Sequence, residues 1–252
     1  MDTQLSLFDL TNQPYEINKP IRLIELFAGY GSQAMALRNI GADFEHYKVV
    51  EFDKYAIESY NSIHGTDFPT MDVKDIKGVD LEITDKEHFT YLLTYSFPCT
   101  DISLAGRMEG MAKDSGTRSS LLWEVERILL ELQETDSLPQ ILMMENVTEI
   151  HGTKNIKHFQ EWTSFLTGLG YSNYTQDLNT ADYGLPQHRE RCFMISLLGD
   201  YTYQFPTMIE ELTRCMEDFF QDLTEEEGLK QIVKSKKALD LLVSLDEKDE
   251  LN

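Results

Sequence analysis

Short β-rich runs alternate with amphipathic stretches, a glycine-bearing turn follows the first run, and the composition is that of an ordinary globular domain. Together these predict an α/β fold with a mostly parallel sheet and helices on both faces. Hydrophobic residues make up 41% and charged residues 26% of the 252 positions, so the chain can bury a sizeable core.

The elements follow in order. Residues 1–20 form a polar leader ending at Lys19-Pro20. Strands are expected at 21–27 (IRLIELF), 47–51 (YKVVE), 91–96 (YLLTYS), 141–145 (ILMME) and 191–198 (RCFMISLL). Helices are expected at 32–40, 54–64, 119–134 and 155–168. The third opens with Ser119 and Ser120 as caps and carries Leu122, Val125, Leu129 and Leu132 at helical spacing. No internal repeat interrupts the body, which spans 21–199. Beyond it lies an acidic segment, 200–252, read as two amphipathic helices, Ile209 to Phe220 and Leu229 to Leu245, separated by an acidic break.

The net charge is −22, and it is not confined to the tail: residues 200–252 hold 14 acidic and 6 basic side chains. A protein that grips nucleic acid alone usually shows the opposite excess. The three cysteines, Cys99, Cys192 and Cys215, have neither zinc-site spacing nor an even disulfide framework, which predicts a reducing compartment and no metal. The N-terminus is not a signal peptide, and no apolar run approaches membrane-spanning length, so the chain reads as cytoplasmic.

Two clusters carry chemistry. Gly29-x-Gly31-x-x-Ala34, between the first strand and the first helix, is a dinucleotide-type fingerprint whose small residues allow a ligand to approach the backbone. Glu51 ends the next strand, where a carboxylate can hold ribose hydroxyls, and Phe52 can stack on an adenine. Asp72, near the expected end of a third strand, can accept from an adenine amino group. An NAD enzyme would share all of this.

The second cluster decides. Cys99 follows Pro98 at a strand terminus, the setting in which a thiolate can serve as nucleophile, although a lone cysteine is more often a small core residue. Glu145 and Asn146 end an apolar strand, where a carboxyl group loses solvation and its pKa rises toward that of a general acid. Arg189 and Arg191 alternate onto one face at the start of the last strand and can orient a carboxylate or donate to a carbonyl.

With these residues in place the sequence resembles the cytosine-5 DNA methyltransferase family. ELFAGYGS (25–32) is similar to its donor-binding motif, SFPCTDIS (96–103) to its Pro-Cys motif, and GTRSSLLWE (116–124) to the segment that follows. ENV (145–147) is similar to its acid motif and DYGLPQHRER (182–191) to its Gln-x-Arg-x-Arg motif, all in the family's order. The resemblance implies a Rossmann-like fold that binds S-adenosylmethionine through Phe27, Gly29, Gly31, Glu51, Phe52, Asp72, Val73, Pro98 and Leu121. It implies Cys99 as nucleophile, Glu145 as acid at cytosine N3, Asn146 as its support, and Arg191 with Arg189 at the base carbonyl. Thr180-Ala181 would line the same cleft, and segment 104–118, with Arg107, would form a lid over a base flipped out of double-stranded DNA.

The chain also departs from the pattern. Thr100 stands where the family commonly has glutamine, and no target-recognition domain or Gly-Asn helix is legible in 200–252. The fold is therefore expected to be incomplete at the C-terminus. The chain reads as the large subunit of a split enzyme whose second, basic subunit reads the target, as an inactive relic, or as a stand-alone module; the acidity favours the first. RNA cytosine methylation and a non-catalytic donor-binding module are the rival functions.

Overall fold

The structure, a computed structural model, describes residues 13–99 and 121–208 together with a few isolated positions beyond. Expectations for Ser119, Ser120, Arg107, the 104–118 lid and the two C-terminal helices lie outside the described residues.

Eight strands and four α-helices are described: β1 (Gln13–Pro14), β2 (Ile21–Leu26), α1 (Ser32–Asn39), β3 (Phe44–Val50), α2 (Lys54–His64), β4 (Thr90–Tyr95), α3 (Leu122–Glu134), β5 (Ile141–Asn146), α4 (Ile156–Gly168), β6 (Tyr171–Asn179), β7 (Glu190–Leu198) and β8 (Tyr201–Thr202). Six strands form the main sheet in the order β3-β2-β4-β5-β7-β6. The pairs β2–β3, β2–β4 and β4–β5 are parallel, and β7 runs antiparallel to both β5 and β6. This is the expected mostly parallel α/β sheet.

Alternation along the strands sorts the helices. Ile24 and Leu26, Leu93 and Tyr95, Leu142 and Met144, and Met194 face α3 and α4, whose Leu122, Val125, Leu129, Leu132, Trp162 and Leu166 are buried against them. On the other face, Ile21, Leu23, Leu92 and Ile141 pack with Ala34 of α1, and Val49 packs with Ile57 and Tyr60 of α2. At α2, Asp53 accepts the amides of Tyr55 and Ala56, and Gly65, with φ of 67°, ends the helix.

Three features differ from expectation. Strand β6 was not legible because YSNYTQDLN is polar; it is a half-exposed edge strand, and all nine of its residues pair with β7. No strand precedes Asp72: the Pro69-containing loop leads instead into a 3-10 turn, Val73–Asp75, which Asp72 caps by accepting the Lys74 amide at 3.0 Å. The leader joins the body, since β1 pairs in parallel with β8 and Tyr15 meets Tyr201 edge-on at 4.9 Å.

Glu25 of β2 is a buried carboxyl group. It is 1% exposed, its Oε2 accepts from the Tyr60 hydroxyl at 2.6 Å, and its Oε1 has no partner. Burial pushes its carboxyl up to about 7 from the ordinary 4.5. The native state therefore keeps a proton that the unfolded chain releases between those values, so stability falls as pH rises through this window. Glu25→Gln is expected to raise stability at pH 8 by roughly 1–3 kcal/mol and to flatten the profile between pH 5 and 7, measured by urea unfolding. A profile identical to that of the wild type would exclude Glu25 as the group responsible.

Candidate active site

Chemistry gathers at one edge of the sheet, where β2, β3, β4 and β5 end and β7 begins. After β2 the chain turns through Phe27, Gly29 and Gly31, all with positive φ: 59°, 57° and 83°. For Phe27 that conformation is strained and is held by its surroundings. A Cβ on Gly29 would meet nothing within 4 Å, so the loop is open on that side to an approaching ligand. Glu51, 8% exposed, braces the loop: its Oε2 accepts the Gly29 amide at 2.9 Å and its Oε1 the Asp53 amide at 2.8 Å.

These residues frame a cavity of about 340 Å³ lined by Phe27, Glu51, Phe52, Asp72, Val73, Pro98 and Leu121. Seven of the nine residues assigned from the sequence to donor binding thus line one cavity. Gly29 lines the neighbouring one, and Gly31 lies beneath the loop against Tyr60 and His64. The Phe52 ring is 65% exposed and free to stack.

The second cavity, about 760 Å³, is lined by Glu145, Arg189, Arg191, Thr180, Phe193 and Met143 among others, and it shares Phe27 and Ser96 with the first. The register explains the grouping: Glu145 lies opposite Phe193 and Leu178 opposite Arg191, so all four project to the α1 side. Arg189 precedes β7 and is positioned by its neighbours, its amide donating to Asn179 Oδ1 at 3.2 Å. Glu145, expected to lose solvation at the end of an apolar strand, has an arginine beside it. Its side chain is 23% exposed, and Arg191 Nε lies 3.1 Å from Oε1. Sequence reading could not pair these two, because the contact depends on β5–β7 register.

Asn146 points the opposite way and is 2% exposed. Its Nδ2 donates to the Phe97 carbonyl at 3.0 Å and its Oδ1 accepts the Val147 amide at 2.9 Å. It therefore fastens the end of β5 to the segment that delivers Pro98 and Cys99. Cys99 lies four residues past β4, half-buried against the main core.

Beside Asn146 on the same face, His151, Asp177 and Cys192 bring their ligating atoms within 4.8 Å of one another. His151 Nε2 is 3.0 Å from both Asp177 oxygens. Burial, with the Asp177 carboxylate beside it, pushes the Cys192 thiol up to about 12. In this protonated form the cluster is a hydrogen-bonded clamp across β6, β7 and the turn after β5.

The family model for C-5 cytosine-specific DNA methylase matches residues 21–250. The chain belongs to this family. The match runs through the C-terminal segment in which no family motif was legible. The type II methyltransferase M2.ScrFI of Lactococcus lactis subsp. cremoris is 32% identical over 258 residues, covering 82% of this chain and 69% of its own. M.SssI of Spiroplasma monobiae is 32% identical, covering 73% and 61%, and M.HhaI of Haemophilus parahaemolyticus 33%, covering 75% and 54%. The chain thus spans between about half and two thirds of the length of these methylases. Among solved structures, an Entamoeba histolytica methyltransferase, EhMeth, superposes with a TM-score of 0.60 at 15% identity, covering 83% of this chain and 62% of its own. The Dnmt2 methyltransferase of S. pombe superposes at 0.56 and 22%, covering 73% and 50%. Both share the fold.

Asn146→Ala leaves the buried Phe97 carbonyl and Val147 amide without the partners that Asn146 gives them. The expected loss is about 1–3 kcal/mol, read as a lower urea midpoint; an unchanged midpoint would show that the Asn146 link does not hold the Pro-Cys segment.

Proposed function

We propose that the chain transfers a methyl group from S-adenosylmethionine to C5 of cytosine in double-stranded DNA through a covalent adduct at Cys99. The observation that carries this reading is the pair of cavities meeting at Phe27 and Ser96, one lined by Glu51 and Asp72 and the other by Glu145, Arg189 and Arg191. A donor in the first and a flipped base in the second would be neighbours.

The residues fit the donor. Glu51 offers a carboxylate already oriented by two amides, Phe52 an open ring, and Gly29 a backbone with no side chain in the way. S-adenosylmethionine held there supplies an electrophilic methyl group. Cys99 Sγ adds to C6 of the base while Glu145 delivers a proton to N3, which moves electron density to C5 and makes it nucleophilic. Arg191 orients the Glu145 carboxyl, and Arg189, at the rim of the same cavity, reaches the base carbonyl or the backbone. Once C5 carries the methyl group, loss of its proton expels the Cys99 thiolate, and the N3 proton returns to Glu145, which restores the ring.

A second, basic chain that reads the target belongs to the same proposal. It is supported by the net charge of −22 and by the apolar floor of the second cavity, where Leu185 is 39% exposed beside Met143 and Phe193. Among the described residues no helix is long and apolar enough to cross a membrane, and none of the three cysteines is in a disulfide.

The test is transfer of labelled methyl to unmethylated DNA, by the chain alone and with a basic partner encoded beside it. Transfer is expected to vanish in Cys99→Ala and to fall about 10²–10³-fold in Glu145→Gln. Transfer surviving Cys99→Ala would overturn the mechanism. Full-rate transfer by the chain alone would overturn the partner, and donor binding with no transfer in either arm would leave a non-catalytic module.

A further inference from the structure

We propose that Tyr60 and His64, one turn apart on α2, are positioning residues for the methyl donor: they form the floor beneath the Phe27–Gly31 loop and hold its left-handed turn. The inference rests on the reading of the first cavity as the donor site.

A loop with three positive φ values in five residues needs support from outside. On the strand side it has backbone and carboxylate partners: the Ala28 amide donates to the Val50 carbonyl at 3.2 Å and the Gly29 amide to Glu51. On the helix side the support is Tyr60 and His64. His64 Nε2 donates to the Tyr30 carbonyl at 3.0 Å, and its ring lies 4.5 Å from that of Tyr60. A Cβ on Gly31 would lie 2.6 Å from Tyr60 Cε2 and would also meet His64 Nε2. The two rings therefore touch the loop backbone itself, and residue 31 has to be glycine for space as well as for its φ. Gly29 differs, since a side chain there would find open space. The loop rests on α2 at one glycine and faces the ligand at the other.

The floor is itself fixed. Tyr60 is fully buried, its hydroxyl donates to Glu25 Oε2, and His46 Nδ1 lies 2.6 Å from the Tyr60 hydroxyl oxygen. Because the single hydroxyl proton goes to Glu25, His46 Nδ1 must be the donor to Tyr60. The His46 ring packs against His64 at 4.8 Å. Contacts thus run from β2 and β3 through α2 to the Tyr30 carbonyl. Neither Tyr60 nor His64 is among the lining of the two cavities described; both act through the loop.

The test titrates the full chain with S-adenosylmethionine by isothermal calorimetry and follows thermal unfolding in parallel. His64→Ala is expected to weaken binding about tenfold without lowering the unfolding midpoint, and His64→Gln, which keeps an N–H for the Tyr30 carbonyl, to return within about threefold of the wild type. Tyr60→Phe keeps the ring and loses the two hydroxyl bonds, and it too is expected to weaken binding. Wild-type affinity in His64→Ala would overturn the inference alone, as would an Ala variant that loses stability and affinity together and is not rescued by Gln. Failure of the wild-type chain to bind would overturn the donor reading and the inference with it.

Discussion

Strand direction is the constraint on which the rest depends. Four adjacent strands, β3, β2, β4 and β5, run parallel, so their carboxyl ends deliver Glu51, the Phe27–Gly31 loop, the Pro98-Cys99 segment and the Glu145-Asn146 pair to a single edge. Strand β7 runs the other way, so it is its beginning that lies there. The arginine pair accordingly precedes or opens a strand, whereas Phe27, Glu51, Pro98 and Cys99 follow one and Glu145 and Asn146 close one.

Two polar side chains turn that arrangement into defined geometry. Glu51 spans the glycine loop and the start of α2 with one carboxylate, and Asn146 spans β5 and the Pro-Cys segment with one amide. Both are more than nine-tenths buried, where a satisfied hydrogen bond is worth most and a lost partner costs most. Each sits one residue from a group that faces a cavity: Glu51 beside Phe52, and Asn146 beside Glu145, which alternation sends to the opposite face.

The parts of the site with local signatures were legible in the sequence. Glycines in a strand-to-helix turn, a Pro-Cys pair and an acid at a strand end declare themselves through spacing, and seven of the nine residues assigned from the sequence to the donor line one cavity. What remained hidden depends on register or on contacts distant in sequence. The pairing of Glu145 with Arg191 requires β5 and β7 to be aligned, and nothing local marks His64 as lying against Gly31. Strand β6 escaped because an edge strand with one wet face lacks an apolar pattern, and Asp72 was placed near the end of a third strand where the Pro69 loop leads instead into a 3-10 turn.

The central claim is that Cys99 forms a bond to the target base. DNA carrying 5-fluorocytosine tests it most directly, because fluorine at C5 cannot leave as a proton and the adduct persists after methyl transfer. The chain, with S-adenosylmethionine and the proposed basic partner, should yield a denaturation-resistant complex whose digest places the modified, methylated base on the peptide containing Cys99. A complex mapping to Cys192 or Cys215, or none under conditions where ordinary cytosine is methylated, would contradict the account.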